Sequence, residues 1–137
     1  VRMKGSEAFA AVALVAVACD GVMDPSESQA LRRQLEARTP YRELSVEAMG
    51  ELFDLLLARM REVGWSGLLT EAIAALSQRQ QETAFAMAAE LVHADHKIDP
   101  REEEFLSTMA RQLTLPPERT QGILDVIRVL HRDALAD

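Results

Sequence analysis

Three pairs of acidic residues recur at matching positions in two parts of this 137-residue chain, and they are its clearest candidates for binding chemistry. A shift of 75 positions aligns the two parts without gaps, for example Val17 with Val92. Carboxylate oxygens are the ligands that Ca²⁺ and Mg²⁺ take in proteins. We therefore consider a hard divalent cation shared between a first acidic turn and a second one. The aligned pairs are Asp20 with Asp95, Asp24 with Asp99, and Glu27 with Glu102.

The same residues also suit a purely structural role at helix starts. Asp24 and Asp99 each precede a proline, and a Glu follows three positions after each Asp. An Asp at the N-cap accepts from N–H groups of the next turn, proline fits the first helical position, and Glu completes a capping box. Asp20 and Asp95 can bond their own turns as Asx-turns. An EF-hand does not fit, because each turn leads straight into a helix and lacks alternating oxygen ligands.

Two histidines add a second metal option to the second acidic turn. His93 and His96 flank Asp95, and the first repeat has no histidine at either position. Imidazole and carboxylate together suit a transition metal such as Zn²⁺. The alternatives are a metal site in the second repeat alone or histidines at a surface or partly buried position. If a metal is held by His93, His96, Asp95 and Asp99, a metal-dependent hydrolase becomes a further hypothesis.

Helices must position these turns, and the pattern predicts two similar helix–turn–helix halves at about 9–38 and 84–113. Ser45 and Ser77 are predicted N-caps, while Gly64 and Gly67 mark a turn. On the last helix Ile123, Ile127 and Leu130 share a helical spacing and are expected to face inward. The repeated pairs are expected to pack about a pseudo-two-fold axis. About seven helices are predicted: 6–19, 25–38, 46–63, 67–76, 78–94, 100–113 and one from 117.

The composition supports one compact all-α domain over residues 1–137. Hydrophobic residues make up 48% of the chain, and the 39 Ala and Leu residues outnumber the 20 Val, Ile and Thr residues. The formal net charge of −7 argues against a uniformly basic nucleic-acid binder. The single cysteine, Cys19, excludes intramolecular disulfides and is expected to be a buried, inert thiol. No phosphate loop, nucleophile elbow or HExxH motif is present, so we do not expect an enzyme.

The apolar run from Ala8 to Cys19, preceded by Arg2 and Lys4, has the look of a signal peptide. It is shorter than the roughly 20 apolar residues of a membrane span. Part of the run also recurs inside the chain, where a targeting peptide has no place. We therefore predict a buried first helix and a cytoplasmic protein.

The paired acidic turns resemble those of the TerB-like family, named for a tellurite-resistance protein. The resemblance rests on Asp20-Gly21 before Asp24-Pro25-Ser26-Glu27, and on Asp95 before Asp99-Pro100-Arg101-Glu102, and it extends over about 9–130. His96-Lys97 departs from it, since a second Asp-Gly is typical there. The resemblance implies an all-α, cytoplasmic domain of about seven helices, linked to tellurite resistance and envelope stress. It implies a metal-interacting acidic surface and an adaptor role near the membrane. It does not imply a catalytic activity.

Three function classes follow. The first is a non-enzymatic stress-response module whose acidic turns bind divalent cations or partner proteins. The second is a structural or homo-oligomeric interaction domain in which the acidic residues only cap helices, and the third is the hydrolase. Protein partners or a second copy of the chain are expected, with no nucleic acid and at most peripheral membrane contact. Tellurite is an anion that carboxylates repel, so tellurite resistance is interpreted as a phenotype and not as a ligand.

Overall fold

The computed structural model describes residues 3–19, 25–94 and 98–137, and within these ranges it contains only helices and their connections. The prediction of an all-α fold is confirmed. A short 3₁₀ turn, Tyr41–Glu43, lies between the second and third helices. The α-helices are α1 (Gly5–Ala18), α2 (Pro25–Glu36), α3 (Val46–Ala74), α4 (Gln78–His93), α5 (Pro100–Gln112) and α6 (Pro117–Leu130).

The predicted third and fourth helices form the single element α3, which spans 29 residues. Its path is broken at Gly64, whose φ of 76° and ψ of 169° are not helical. An L-residue is strained in that region of backbone space, whereas glycine adopts it at little cost. The predicted break at Gly64 is therefore present, and the described part of the chain has six α-helices because both arms count as one.

Side-chain hydrogen bonds cap α3 and α4 at the two serines that the sequence predicts as N-caps. The Ser45 hydroxyl accepts from the Ala48 N–H at 3.0 Å at the start of α3. At α4 the Ser77 hydroxyl accepts from the Gln80 N–H at 3.2 Å, and the Gln80 side chain accepts from the Ser77 N–H at 2.8 Å. These bonds satisfy donors that the first helical turn leaves without partners.

The core is built around α1, which packs against α3 and α4. Every residue from Ala10 to Val17 is at most 2% exposed, so this helix is enclosed on all sides. Phe85 of α4 and Phe105 of α5 are fully buried in the same core. The predicted buried first helix is confirmed. None of the helices in the described ranges has the length and apolar character needed to cross a membrane.

The last helix, α6, departs from the sequence-based expectation. Ile127 is buried and Ile123 is half-buried, but Leu130 is 66% exposed. The prediction that Leu130 faces inward is wrong. Helical spacing predicts which residues share a face, but it does not predict where the packing partner of that face ends.

Candidate functional site

The structure describes half of the residues that the sequence singles out. Glu27, His93, Asp99 and Glu102 are described, with Glu27 in the first turn of α2. The other four, Asp20, Asp24, Asp95 and His96, lie outside the described residues.

At the second acidic turn, Asp99 is the N-cap of α5, as predicted. Its Oδ1 accepts from the Arg101 N–H at 2.7 Å and from the Glu102 N–H at 3.2 Å. In return the buried Glu102 accepts from the Asp99 N–H through Oε1 at 3.0 Å. Pro100 occupies the first helical position, which needs no N–H donor. The backbone therefore already engages both carboxylates, which favours the capping interpretation for this pair.

The end of α1 lies beside the start of α5. Cys19 follows α1 directly and is buried, as predicted. Its Sγ lies 4.0 Å from the carbonyl oxygen of Arg101, in the first turn of α5, and 3.8 Å from the carbonyl oxygen of Ala16. In sequence Cys19 is the neighbour of Asp20, and Arg101 follows Asp99 by two positions. Cys19, the last described residue before the first acidic turn, therefore lies beside the start of α5.

The ring of His93, at the end of α4, is held in one orientation. Its side chain is buried, with 6% exposed, and Nδ1 lies 2.7 Å from the carbonyl oxygen of Ala89. A carbonyl only accepts, so Nδ1 is the donor in this hydrogen bond. Nε2 has no hydrogen-bond partner among the described residues. Metal-binding histidines commonly have this arrangement, in which a backbone carbonyl fixes the ring and leaves the other nitrogen available.

His131 is a neighbour of His93 that the repeated acidic pattern does not include. The two rings stack with centroids 6.1 Å apart and planes 29° apart. His131 Nε2 lies 2.6 Å from Glu90 Oε1, so α6 is tied to α4. In the sequence, the only local indication of this contact is the three-residue spacing of Glu90 and His93, which places both side chains on one face of α4. A histidine pair and a carboxylate thus lie together where α4 and α6 end.

The described residues around His93 do not form a complete metal site. Within the described ranges no three His, Cys, Asp or Glu side chains are close enough together to hold an ion. A cavity of about 510 Å³ lies beside His93, between α4, α5 and α6, and Arg111 and Arg128 also line it. A metal held by His93 would therefore need ligands from the turn that follows it.

Comparison with known proteins returned one family. A family model described as "Tellurite resistance protein TerB" matches residues 6–125. No curated protein and no solved structure matches the chain. The match covers both acidic turns and all helices except the end of α6 and the first residue of α1. It confirms the resemblance drawn from the repeated acidic motif.

Proposed function

The chain belongs to the TerB family of tellurite-resistance proteins, and on that premise we propose that its two acidic turns together bind a divalent cation in a non-enzymatic module. The observation that carries the proposal is the contact between Cys19 Sγ and the Arg101 carbonyl. This contact brings the segment before Asp20 to the helix start capped by Asp99. The proposal is that carboxylates from these two separate parts of the sequence face one small volume.

The electrostatics of this volume favour a cation. Asp20 and Asp95 follow the C-terminal ends of α1 and α4, where the helix dipole is negative, and they carry charge of the same sign. Both effects raise the energy of the ionised carboxylates, and a bound divalent ion lowers it. Oxygen ligands select Ca²⁺ or Mg²⁺, whereas participation of His93 Nε2 selects Zn²⁺. In either form the turns with their bound ion would offer a surface for a partner protein.

Calorimetric titration and thermal unfolding with Ca²⁺, Mg²⁺, Mn²⁺ and Zn²⁺ test this proposal. We expect saturable heat and a raised melting temperature for at least one ion, because binding to the folded state alone stabilises it. Asp20→Asn and Asp95→Asn should each weaken the effect. Asp54→Asn, which removes an exposed carboxylate of α3, is the matched control. No heat and no shift with any ion would refute the proposal, as would an equal loss in the Asp54 variant.

The choice of metal ligands is tested with His93→Gln. If Zn²⁺ binding depends on His93 and survives Asp20→Asn, the ion belongs to the second acidic turn alone. If Ca²⁺ or Mg²⁺ binding depends on both aspartates and tolerates the His93 variant, the ion is shared between the turns. His131→Gln serves as the control, since it removes the stacked neighbour and leaves the Nδ1 bond of His93 in place.

A structural or self-associating interaction domain is the second candidate, and the capping box of Asp99 favours it. In this case the acidic residues serve the backbone, and association uses other surfaces. Val126, Val129 and Leu130 expose more than half of their surface along α6 and suit an apolar contact. Light scattering across a range of concentrations tests it. A dimer that Val126→Ser disrupts, together with an absence of metal binding, would select this candidate over the first.

A further inference from the structure

A second cavity, of about 610 Å³, lies where α1 and α4 begin and where the chain connects α2 to α3. Its lining includes Ser6 and Phe9 of α1, and Gln80 and Thr83 of α4. Cys19, which precedes the first acidic turn, and its neighbour Arg101 lie at the other end of α1. A helix of 14 residues is roughly 20 Å long, so this cavity is separate from the proposed cation site.

Three arginines line this cavity, which we call the arginine cavity. Arg38 and Arg42 come from the connection after α2, and Arg79 comes from the first turn of α4. Among the described residues no acidic side chain lines it, and none of these three arginines forms an ion pair. Glu82, the carboxylate one turn along from Arg79, is paired with Arg119. A chain with a net charge of −7 thus concentrates three arginines at one concave site, although Arg79 also attracts the Glu82 carboxylate.

The aromatic side of the cavity is held rigidly. Tyr41 is buried and its hydroxyl donates to the carbonyl oxygen of Ser6, which ties the connection after α2 to the start of α1. Its ring stacks with Phe9, with centroids 6.2 Å apart and planes 27° apart. The guanidinium carbon of Arg38 lies 5.5 Å from the centroid of the Phe9 ring. This cation–π contact positions one guanidinium group before any ligand arrives.

We propose that the arginine cavity binds a small soluble molecule through a phosphate group. The planar fork of a guanidinium group matches the oxygen atoms of phosphate, and charge-assisted bonds of this kind are among the strongest hydrogen bonds in proteins. One carboxylate has too few oxygens and too little charge to engage three guanidinium groups. A phosphate dianion has enough of both to engage more than one of them. The volume lies within the roughly 300–1,000 Å³ typical of small-molecule sites. The positive ends of α1 and α4 at the rim add to the attraction.

Titrations of the full chain with inorganic phosphate and with phenyl phosphate, followed by ¹H–¹⁵N NMR, test the proposal. We expect saturable shifts at Ser6, Gln80 and the Arg38–Arg42 segment. Tighter binding of phenyl phosphate identifies an organic phosphate as the ligand, and equal binding identifies the phosphate group alone. Each of Arg38→Gln, Arg42→Gln and Arg79→Gln should weaken binding about tenfold, as the loss of one charge-assisted bond predicts.

Arg61→Gln is the matched control, because Arg61 is an exposed arginine of α3 that does not line the cavity. It removes the same charge and should change the dissociation constant by less than about twofold, as expected for distant surface charges. Arg42 and Arg79 are exposed, so their variants test the site even if Arg38→Gln loosens the fold through its contact with Phe9. An absence of saturable shifts with both phosphates would overturn the proposal. Equal weakening in the Arg61 variant would do so too, because it would show attraction to charge in general.

Discussion

Replacement of Asp99 by alanine tests whether the second acidic turn contributes to stability through its backbone bonds. The substitution removes the acceptor of two N–H groups, those of Arg101 at 2.7 Å and Glu102 at 3.2 Å. It leaves the Asp99 N–H in place as donor to Glu102, so only half of the capping box is lost. Pro100 keeps the backbone angle of the first helical position.

The expected loss is about 1–2 kcal/mol in the free energy of unfolding. Loss of an Asp N-cap costs about 0.5–2 kcal/mol, and removal of a negative charge from a helix start costs about 0.3–1 kcal/mol, part of which the first figure includes. Asp99 is exposed, so water replaces the carboxylate at the two N–H groups and keeps the loss below the upper limit. In a domain of this size the melting temperature should fall by about 3–8 °C.

Urea unfolding followed by circular dichroism measures the loss, and Asp99→Asn is the matched control. Asparagine keeps the acceptor and caps about as well as aspartate, so its loss should stay below about 1 kcal/mol. Asp54→Ala, on the exposed side of α3, sets the effect of removing a carboxylate that caps nothing. If Asp99→Ala is as stable as the wild type, or Asp99→Asn loses as much as Asp99→Ala, then the capping argument fails.

Three further substitutions test other parts of the structure. Burial raises the pKa of Tyr41, the sole tyrosine, to about 12. The stability that this burial contributes below pH 10 should therefore be lost as the pH rises towards 12. The ultraviolet absorbance of tyrosinate reports the ionisation, and Tyr41→Phe should flatten the decline in stability. Gly64→Ala should lower the free energy of unfolding in urea by about 1–3 kcal/mol, because alanine is strained at a φ of 76°. Gly50→Ala, in open space on the same helix, should be neutral or stabilising. Equal effects of the two substitutions would contradict the strain argument. Gln81→Leu should cost about 1–3 kcal/mol in thermal unfolding, because it removes the acceptor of the Thr114 N–H and the donor to the Leu76 carbonyl. An unchanged melting temperature would contradict this.

The sequence predicted the features that depend on residues close together along the chain. The Asp99–Glu102 and Ser77–Gln80 capping boxes each join residues three positions apart, so side-chain type and spacing suffice to predict them. The break at Gly64 follows from a property of glycine itself. The family followed from the same local acidic pattern, because that pattern is repeated.

Features that depend on packing between distant segments were not predictable. His131 and Glu90 are 41 positions apart and meet only because α6 packs on α4. The arginine cavity draws Arg38 and Arg42 from one connection and Arg79 from another helix, with no period or motif to link them. Periodicity predicts which face of a helix is apolar, but the arrangement of helices decides which polar side chains meet.

The enclosure of α1 has a consequence for the chain as it is synthesised. This helix has no polar face to present to water, and its cover includes α4, which ends at His93, 75 residues after Ala18 (93 − 18). At about 5–20 residues per second the ribosome needs about 4–15 s to make that stretch. Throughout this interval the apolar segment is exposed on the nascent chain. Exposed apolar segments bind chaperones and promote aggregation. The helix at the centre of the folded core is thus the segment of the nascent chain that we expect chaperones to bind.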